Sequence, residues 1–184
     1  ASTGKTTLAE AIMCNGGAIH KMGSIAEGTT ISDYREYEIK NQHSISLSLM
    51  NLEWLDKKIN IIDTPGYLDF HGEVKSAMSA ADFAAIVVSA TESIDVGTEL
   101  CWEYADKELN IPKLFIISMA DKDQSDFDSV LSALQSRYGR TVFPFTLPVN
   151  QGADFNQIAD VLRKETFTFK TDASGDYSEA AAED

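Results

Sequence analysis

A helix whose first turn must close around an anion is the feature that most limits how this chain can fold. The chain opens Ala1-Ser2-Thr3-Gly4-Lys5-Thr6-Thr7, and Gly4-Lys5-Thr6 is the closing half of the phosphate-binding pattern G-x-x-x-x-G-K-[ST]. Gly4 leaves room for backbone N–H groups to reach phosphate oxygens, where a side chain would obstruct them. Lys5 carries a flexible ammonium to the β- and γ-phosphates, and the Thr6 hydroxyl is placed to ligate Mg²⁺. The helix beginning here adds its N-terminal amides and dipole. Counting back from Gly4 puts the opening glycine ahead of residue 1. The sequence is therefore expected to be a piece of a longer protein, lacking the first strand that feeds the loop.

Asp63-Thr64-Pro65-Gly66, directly after the apolar run Ile59-Asn60-Ile61-Ile62, is the second strong signal. An Asp at such a strand end helps hold Mg²⁺, and Gly66 lets its N–H approach a γ-phosphate. A Pro-Gly turn after a strand is common by itself. Two phosphate motifs separated by one helix and one hairpin are hard to obtain by chance.

Between and beyond these motifs the pattern alternates. A helix is expected from Thr6 to about Cys14, stopped by Asn15-Gly16-Gly17. Residues 18–43 are polar and aperiodic, a loop longer than packing needs. Ser44–Trp54 and Ile59–Asp63 form a predicted hairpin, followed by a helix carrying Val74, Ala77, Met78 and Ala81. Phe83–Ala90 and Leu114–Ile117 read as buried strands, Val96–Leu109 as a helix, and Ser125 as the cap of a helix through Tyr138. Thr141–Leu147 is a predicted edge strand containing Pro144. This order predicts an α/β fold of the P-loop NTPase type: a mostly parallel sheet with helices on both faces, its first strand missing. Residues 1–148 would be the nucleotide-binding domain, 149–170 the hairpin that begins an inserted subdomain, and 171–184 an acidic linker or disordered tail.

The 184 residues carry a formal charge of −14, which repels phosphate backbones and counts against non-specific nucleic-acid binding. Two cysteines, Cys14 and Cys101, are too few for a disulfide framework and read as free thiols in a reducing compartment. No apolar run reaches the length of a membrane span. A cytoplasmic monomer is expected.

At this point the chain resembles the translational GTPases, and within them elongation factor G, from Ala1 to about Phe169. The residues that carry the resemblance are Gly4-Lys5-Thr6-Thr7, Glu27-Gly28-Thr29-Thr30 with Asp33-Tyr34, and Ile59 to Gly66. Asp69-Phe70 with Glu73-Val74, Thr146-Leu147-Pro148 and Ile158-Ala159-Asp160-Val161-Leu162 add to it. It is most similar to the second-type, elongation factor G-like paralogues, which carry Asp-x-Pro-Gly-Tyr. The resemblance implies GTP and GDP as ligands, Mg²⁺ as cofactor and the ribosome as partner of the full-length protein. Gly4, Lys5, Thr6 and Thr7 would hold phosphate, and Thr6, Ser44 and Asp63 would serve the metal. Lys5, Gly66 and Tyr67 would stand at the reaction, while Ser118, Asp121 and Leu147 would surround guanine. Asp121 is the selecting group, since adenine lacks the donor pair that this carboxylate accepts.

The pattern departs from the family in three further places. Ser44 stands where the family has Thr, keeping the hydroxyl without the methyl. The Asn-Lys-x-Asp motif reads Ser118-Met119-Ala120-Asp121, which predicts guanine preference with weakened affinity. Tyr67 replaces the His that orients the attacking water; a phenol is neutral at pH 7 and cannot copy imidazole. Slow intrinsic hydrolysis is predicted, with useful rates only on the ribosome. His71, one turn on, reads as a helix-start residue rather than a substitute. The alternative is a nucleotide-binding, ribosome-docking module with little or no hydrolysis. An ATP-using phosphate-loop enzyme is disfavoured by Asp121 and the inserted subdomain.

Overall fold

The structure is a computed structural model, described here for residues 2–170 and 175–182. The chain divides into two compact units, one of Ala1–Val87 with Asp95–Ile116, the other of Val88–Ile94 with Ile117–Asp184. Among the described residues, no helix is long and apolar enough to cross a membrane.

The first unit begins with α1 (Lys5–Asn15). Its cap residue, Gly4, has φ 81°, a left-handed conformation that glycine alone adopts without strain. Ala9 and Met13 face the hairpin of β1 (Ser48–Trp54) and β2 (Lys57–Asp63), where they pack with Met50, Leu52, Ile19 and Ile61. Each such methionine or leucine contributes about 1.5–3 kcal/mol by leaving water. The helix ends against this hairpin so tightly that a Cβ on Gly16 would lie 2.2 Å from Leu52 Cδ1. β1 and β2 are antiparallel, with Ser48 opposite Asp63 and Trp54 opposite Lys57, so the register delivers Asp63 to the end of its strand.

Next in the chain, α3 (His71–Ser79) buries Val74, Ala77 and Met78. Val74 and Met78 form a second apolar cluster with Ala84 and Ala105, against which Cys101, Tyr104 and Ile111 pack. The predicted helix 96–109 is present as α4 (Val96–Glu103) continued by one π-helical turn, Tyr104–Leu109. Asp95 caps it, accepting the Thr98 N–H at 2.7 Å, and Asn110 in left-handed conformation ends it.

The long polar stretch 18–43 is not all loop: Glu36–Asn41 forms a short helix, α2. It escapes the sequence because six residues give no apolar period to detect. Three carboxylates fasten this stretch and the residues just after it through backbone amides. Glu10 of α1, fully buried, accepts Gly23 N–H at 2.8 Å and Ile31 N–H at 2.6 Å. Glu38, buried on α2, accepts Ile45 N–H at 3.0 Å and Ser46 N–H at 3.2 Å. Glu73 of α3 accepts Leu47 N–H at 2.9 Å.

β3 (Ala84–Ser89) and β4 (Lys113–Ser118) pair in a two-stranded sheet. The backbone bonds flanking them, Ala84 N–H to Pro112 and Ala90 N–H to Ser118, advance together along both strands, the sense of a parallel pair. The other strand pairs whose register is resolved are antiparallel, and the strands lie in three separate sheets. In the second unit, α5 (Phe127–Tyr138) buries Phe127, Val130 and Leu134. Its cap is Asp126, which accepts Ser129 N–H at 2.9 Å, rather than Ser125, whose hydroxyl donates to the Ala120 carbonyl. The predicted strand 141–147 shrinks to β5 (Thr146–Pro148): Gly139–Thr141 is a 3₁₀ turn, and Pro144 stays outside the strand.

β5 leads an antiparallel sheet with β6 (Gln157–Asp160), β7 (Glu165–Phe169) and β8 (Tyr177–Ala181), ordered β5-β6-β7-β8. The expected hairpin is present as β6 and β7. The acidic tail is corrected over part of its length, since Tyr177–Ala181 pairs with β7 from Phe169↔Tyr177 to Glu165↔Ala181. Backbone pairing and the contact of Tyr177 with Phe167 supply what side-chain periodicity does not. Residues 171–174, 183 and 184 of that tail lie outside the described residues.

Candidate functional site

The two phosphate motifs meet in the first unit. Thr6, buried at the start of α1, donates its hydroxyl to Asp63 Oδ2 at 2.7 Å, across 57 positions of sequence. The α1–hairpin packing sets this contact, because it brings the last residue of β2 to the first turn of α1. Burial raises the pKa of Asp63; the Thr6 bond and the Lys5 charge act against that rise, and the Asp33 charge adds to it. A half-exposed ammonium, a buried hydroxyl and a buried carboxylate therefore share one neighbourhood at the helix start, with half-buried Gly4 and exposed Thr7 flanking them.

Ser44 does not join that pair directly. Its hydroxyl donates to Asp33 Oδ1 at 2.6 Å, and burial raises the Asp33 pKa, partly offset by this bond. The second oxygen, Asp33 Oδ2, is buried without a hydrogen-bond partner. Asp33 is thus a site residue that sequence alone offers only inside the quoted Asp33-Tyr34 pair. Glu10, Glu38 and Glu73, which anchor the loop on either side of it, give no sequence signal as clamps, because their partners are backbone amides.

Gly66 and Tyr67 follow Asp63 in an extended segment before a 3₁₀ turn at Leu68–Phe70. Tyr67 is 45% exposed, and its ring stands edge-on to His43, centroids 5.0 Å apart and planes at 66°. His43 Nδ1 lies 3.0 Å from the Asn41 carbonyl. His71 opens α3, and burial together with the nearby Lys75 charge lowers its pKa.

The residues expected around guanine lie in the second unit. The Ser118 hydroxyl donates to the Val88 carbonyl at 3.1 Å, closing the end of β4. Met119 has φ 61°, and its sulfur accepts the Ser89 hydroxyl at 3.5 Å. Asp121 is exposed and 3.3 Å from the Lys122 ammonium. Leu147, half-buried in β5, sits opposite Ala159, and the Gly152 N–H donates to the Ala120 carbonyl at 2.8 Å.

Comparison with known proteins gives a consistent result. The family model described as the elongation factor Tu GTP binding domain matches residues 1–177. An elongation factor G-like protein of Mycobacterium tuberculosis is 36% identical over 149 residues, 81% of this chain and 21% of that protein. Elongation factor G of Mycoplasma pneumoniae is 31% identical over 166 residues, 90% of this chain and 24% of that one. A crystal structure of a Thermus thermophilus protein superposes with a TM-score of 0.90 at 31% identity, over 99% of this chain and 27% of the other. The chain spans about a fifth to a quarter of the length of the curated relatives it matches.

Proposed function

The chain belongs to the elongation factor Tu GTP-binding-domain family, and on that premise we propose that it is the GTP-binding and GTP-hydrolysing domain of an elongation factor G-like translation factor. The observation that carries this reading is the 2.7 Å bond between Thr6 and Asp63. It brings the two motifs together as a phosphate and metal site requires. Lys5, with the amides after Gly4, would meet the β- and γ-phosphates, and Gly66 would meet the γ-phosphate from the second motif.

Mg²⁺ fits the donors present. Thr6 and Asp63 are hard oxygen ligands, and Asp63, with its pKa raised by burial, is a carboxylate that a divalent cation would relieve. The ion would neutralise charge shared between the β- and γ-phosphates. Ser44, held by Asp33 in this structure, would serve the metal only after leaving that carboxylate. This makes the first loop a γ-phosphate-dependent switch, with Asp33 holding its resting position. Asp121 would select guanine, with Ser118 and Leu147 beside the base. The finer fold reading is a mostly parallel sheet with helices on both faces, completed by a strand ahead of Gly4 and supported by the parallel sense of β3 and β4. Residues 149–170 would begin the subdomain inserted in this branch.

Kinship with elongation factor G supports action of the full-length protein on the ribosome, and we propose that it works in the cytoplasm as a monomer. Tyr67, a phenol where the family has imidazole, favours a second reading: a ribosome-docking module that binds nucleotide without turnover. Calorimetry of GDP and ADP on the full-length protein tests the guanine assignment. Tighter GDP binding is expected, and equal affinities would sink it. Ribosome-dependent phosphate release separates the two readings.

A further inference from the structure

We propose that His43, clasped by Tyr67, supplies the imidazole acceptor that orients the attacking water, a role that rests on the GTPase reading above. The second motif carries a phenol at position 67, and a phenol cannot offer the ring nitrogen that water orientation in this family employs. The chain has three histidines, and His43 is the one whose ring meets Tyr67, at 5.0 Å between centroids. The imidazole therefore stands beside the phenol, delivered from the first loop instead of the second.

The surroundings of His43 are built rather than incidental. It directly precedes Ser44, whose hydroxyl is on Asp33. The Asp33 charge acts on Asp63, which holds Thr6. His43 is thus the neighbour in sequence of the hydroxyl tied to Asp33, in the same unit as Asp63 and Thr6. On its other side, the amides of Ile45 and Ser46 are fixed to the buried Glu38. This limits how far the backbone at residue 43 can drift.

The ring's orientation decides which nitrogen is offered. Nδ1 lies 3.0 Å from the Asn41 carbonyl, which can only accept, so Nδ1 carries the hydrogen. In the neutral ring Nε2 is then a lone pair, with no hydrogen-bond partner among the described residues. Tyr67, 45% exposed, leaves this corner open to water while its ring edge limits rotation of the imidazole. His71 lacks this arrangement: it opens α3 near the Lys75 cation.

In the hydrolysis step the water oxygen bonds to the γ-phosphorus and the bond from that phosphorus to the bridging oxygen breaks. The bridging oxygen keeps the electron pair on the departing diphosphate, and the water's proton ends on the released phosphate. Nε2 accepts a hydrogen bond from the water and ends in the protonation state in which it began. Its contribution is placement, consistent with a reaction that depends on positioning more than base strength.

The test uses the intact protein with ribosomes, comparing single-turnover GTP hydrolysis in wild type, His43→Phe, His43→Gln and Tyr67→Phe. His43→Phe keeps a ring against Tyr67 and removes both nitrogens. It should slow hydrolysis ~100-fold while the GDP Kd by calorimetry stays within about twofold. His43→Gln, which keeps an acceptor, should recover part of the rate, and Tyr67→Phe should lose less than His43→Phe. A readout independent of turnover is ¹⁵N NMR of labelled histidine. The neutral His43 ring should carry its hydrogen on Nδ1, and the opposite tautomer would overturn the proposal. Normal GDP binding with wild-type hydrolysis in His43→Phe would remove His43 and leave the GTPase reading standing. Failure of the wild type to bind guanine nucleotide would remove both.

Discussion

The end of this domain proposed to meet phosphate and the end proposed to meet the base are built to different standards. In the first unit, Thr6, Asp33 and Glu10 are buried and hydrogen-bonded to partners outside their own elements, and buried Glu38 holds the amides seven and eight positions on. In the second, Asp121 is exposed beside an exposed Lys122, and Ser118 spends its hydroxyl on a backbone carbonyl. A buried polar group left unmade is costly, so the paired atoms of the first set are preorganised before any ligand arrives, while Asp33 Oδ2 is buried without a partner. A solvated carboxylate loses little by waiting, so the residues around it can change without harm to the fold. The departures at Ser118 and Met119 fall on the tolerant side of that divide.

Substitutions can break or sharpen this contrast. The largest effect on stability is expected for Glu10→Ala, which leaves the Gly23 and Ile31 amides unmade and should destabilise the intact protein by about 3 kcal/mol in urea unfolding. Asp121→Asn should act on the other axis, weakening GDP binding by about 1.5–3 kcal/mol with the unfolding midpoint unchanged. A shifted midpoint there would show that the base end is structural after all.

A smaller effect is expected from pH. Burial raises the pKa values of Asp33 and Asp63 above those of the unfolded chain, so the folded state takes up protons first. The penalty is fully present above the folded values, where both states are ionised, and fades as pH falls through them toward the ordinary 3.8. Asp63→Asn in chelator should therefore be more stable than wild type at neutral pH, the margin shrinking on acidification. A margin that grew in acid would contradict the burial argument. Lys122→Ala closes the series: it removes an exposed ion pair and should alter stability by about 0–1 kcal/mol.

What the sequence made legible follows the same physics. Gly4 and the Asp63–Gly66 run could be read because their residue types are dictated by backbone conformation and ligand chemistry. Strands β3 and β4 could be read from apolar runs, though β4 is half-buried along its length rather than buried. β8 could not, since five exposed residues are held by backbone pairing that any sequence can make. The carboxylate clamps were hidden for a related reason: a backbone amide has no letter in the sequence. His43 was in plain view beside Ser44, but only the folded chain shows which ring it faces.

The Glu10 staple has one further consequence. Because a single side chain on α1 grips two amides eight residues apart, residues 23–31 cannot peel away one at a time. Releasing either amide strands a carboxylate in a water-poor place, so the stretch should open all at once or stay shut. Deuterium uptake at Gly23 and Ile31 would then keep a common rhythm, like two latches worked by one key.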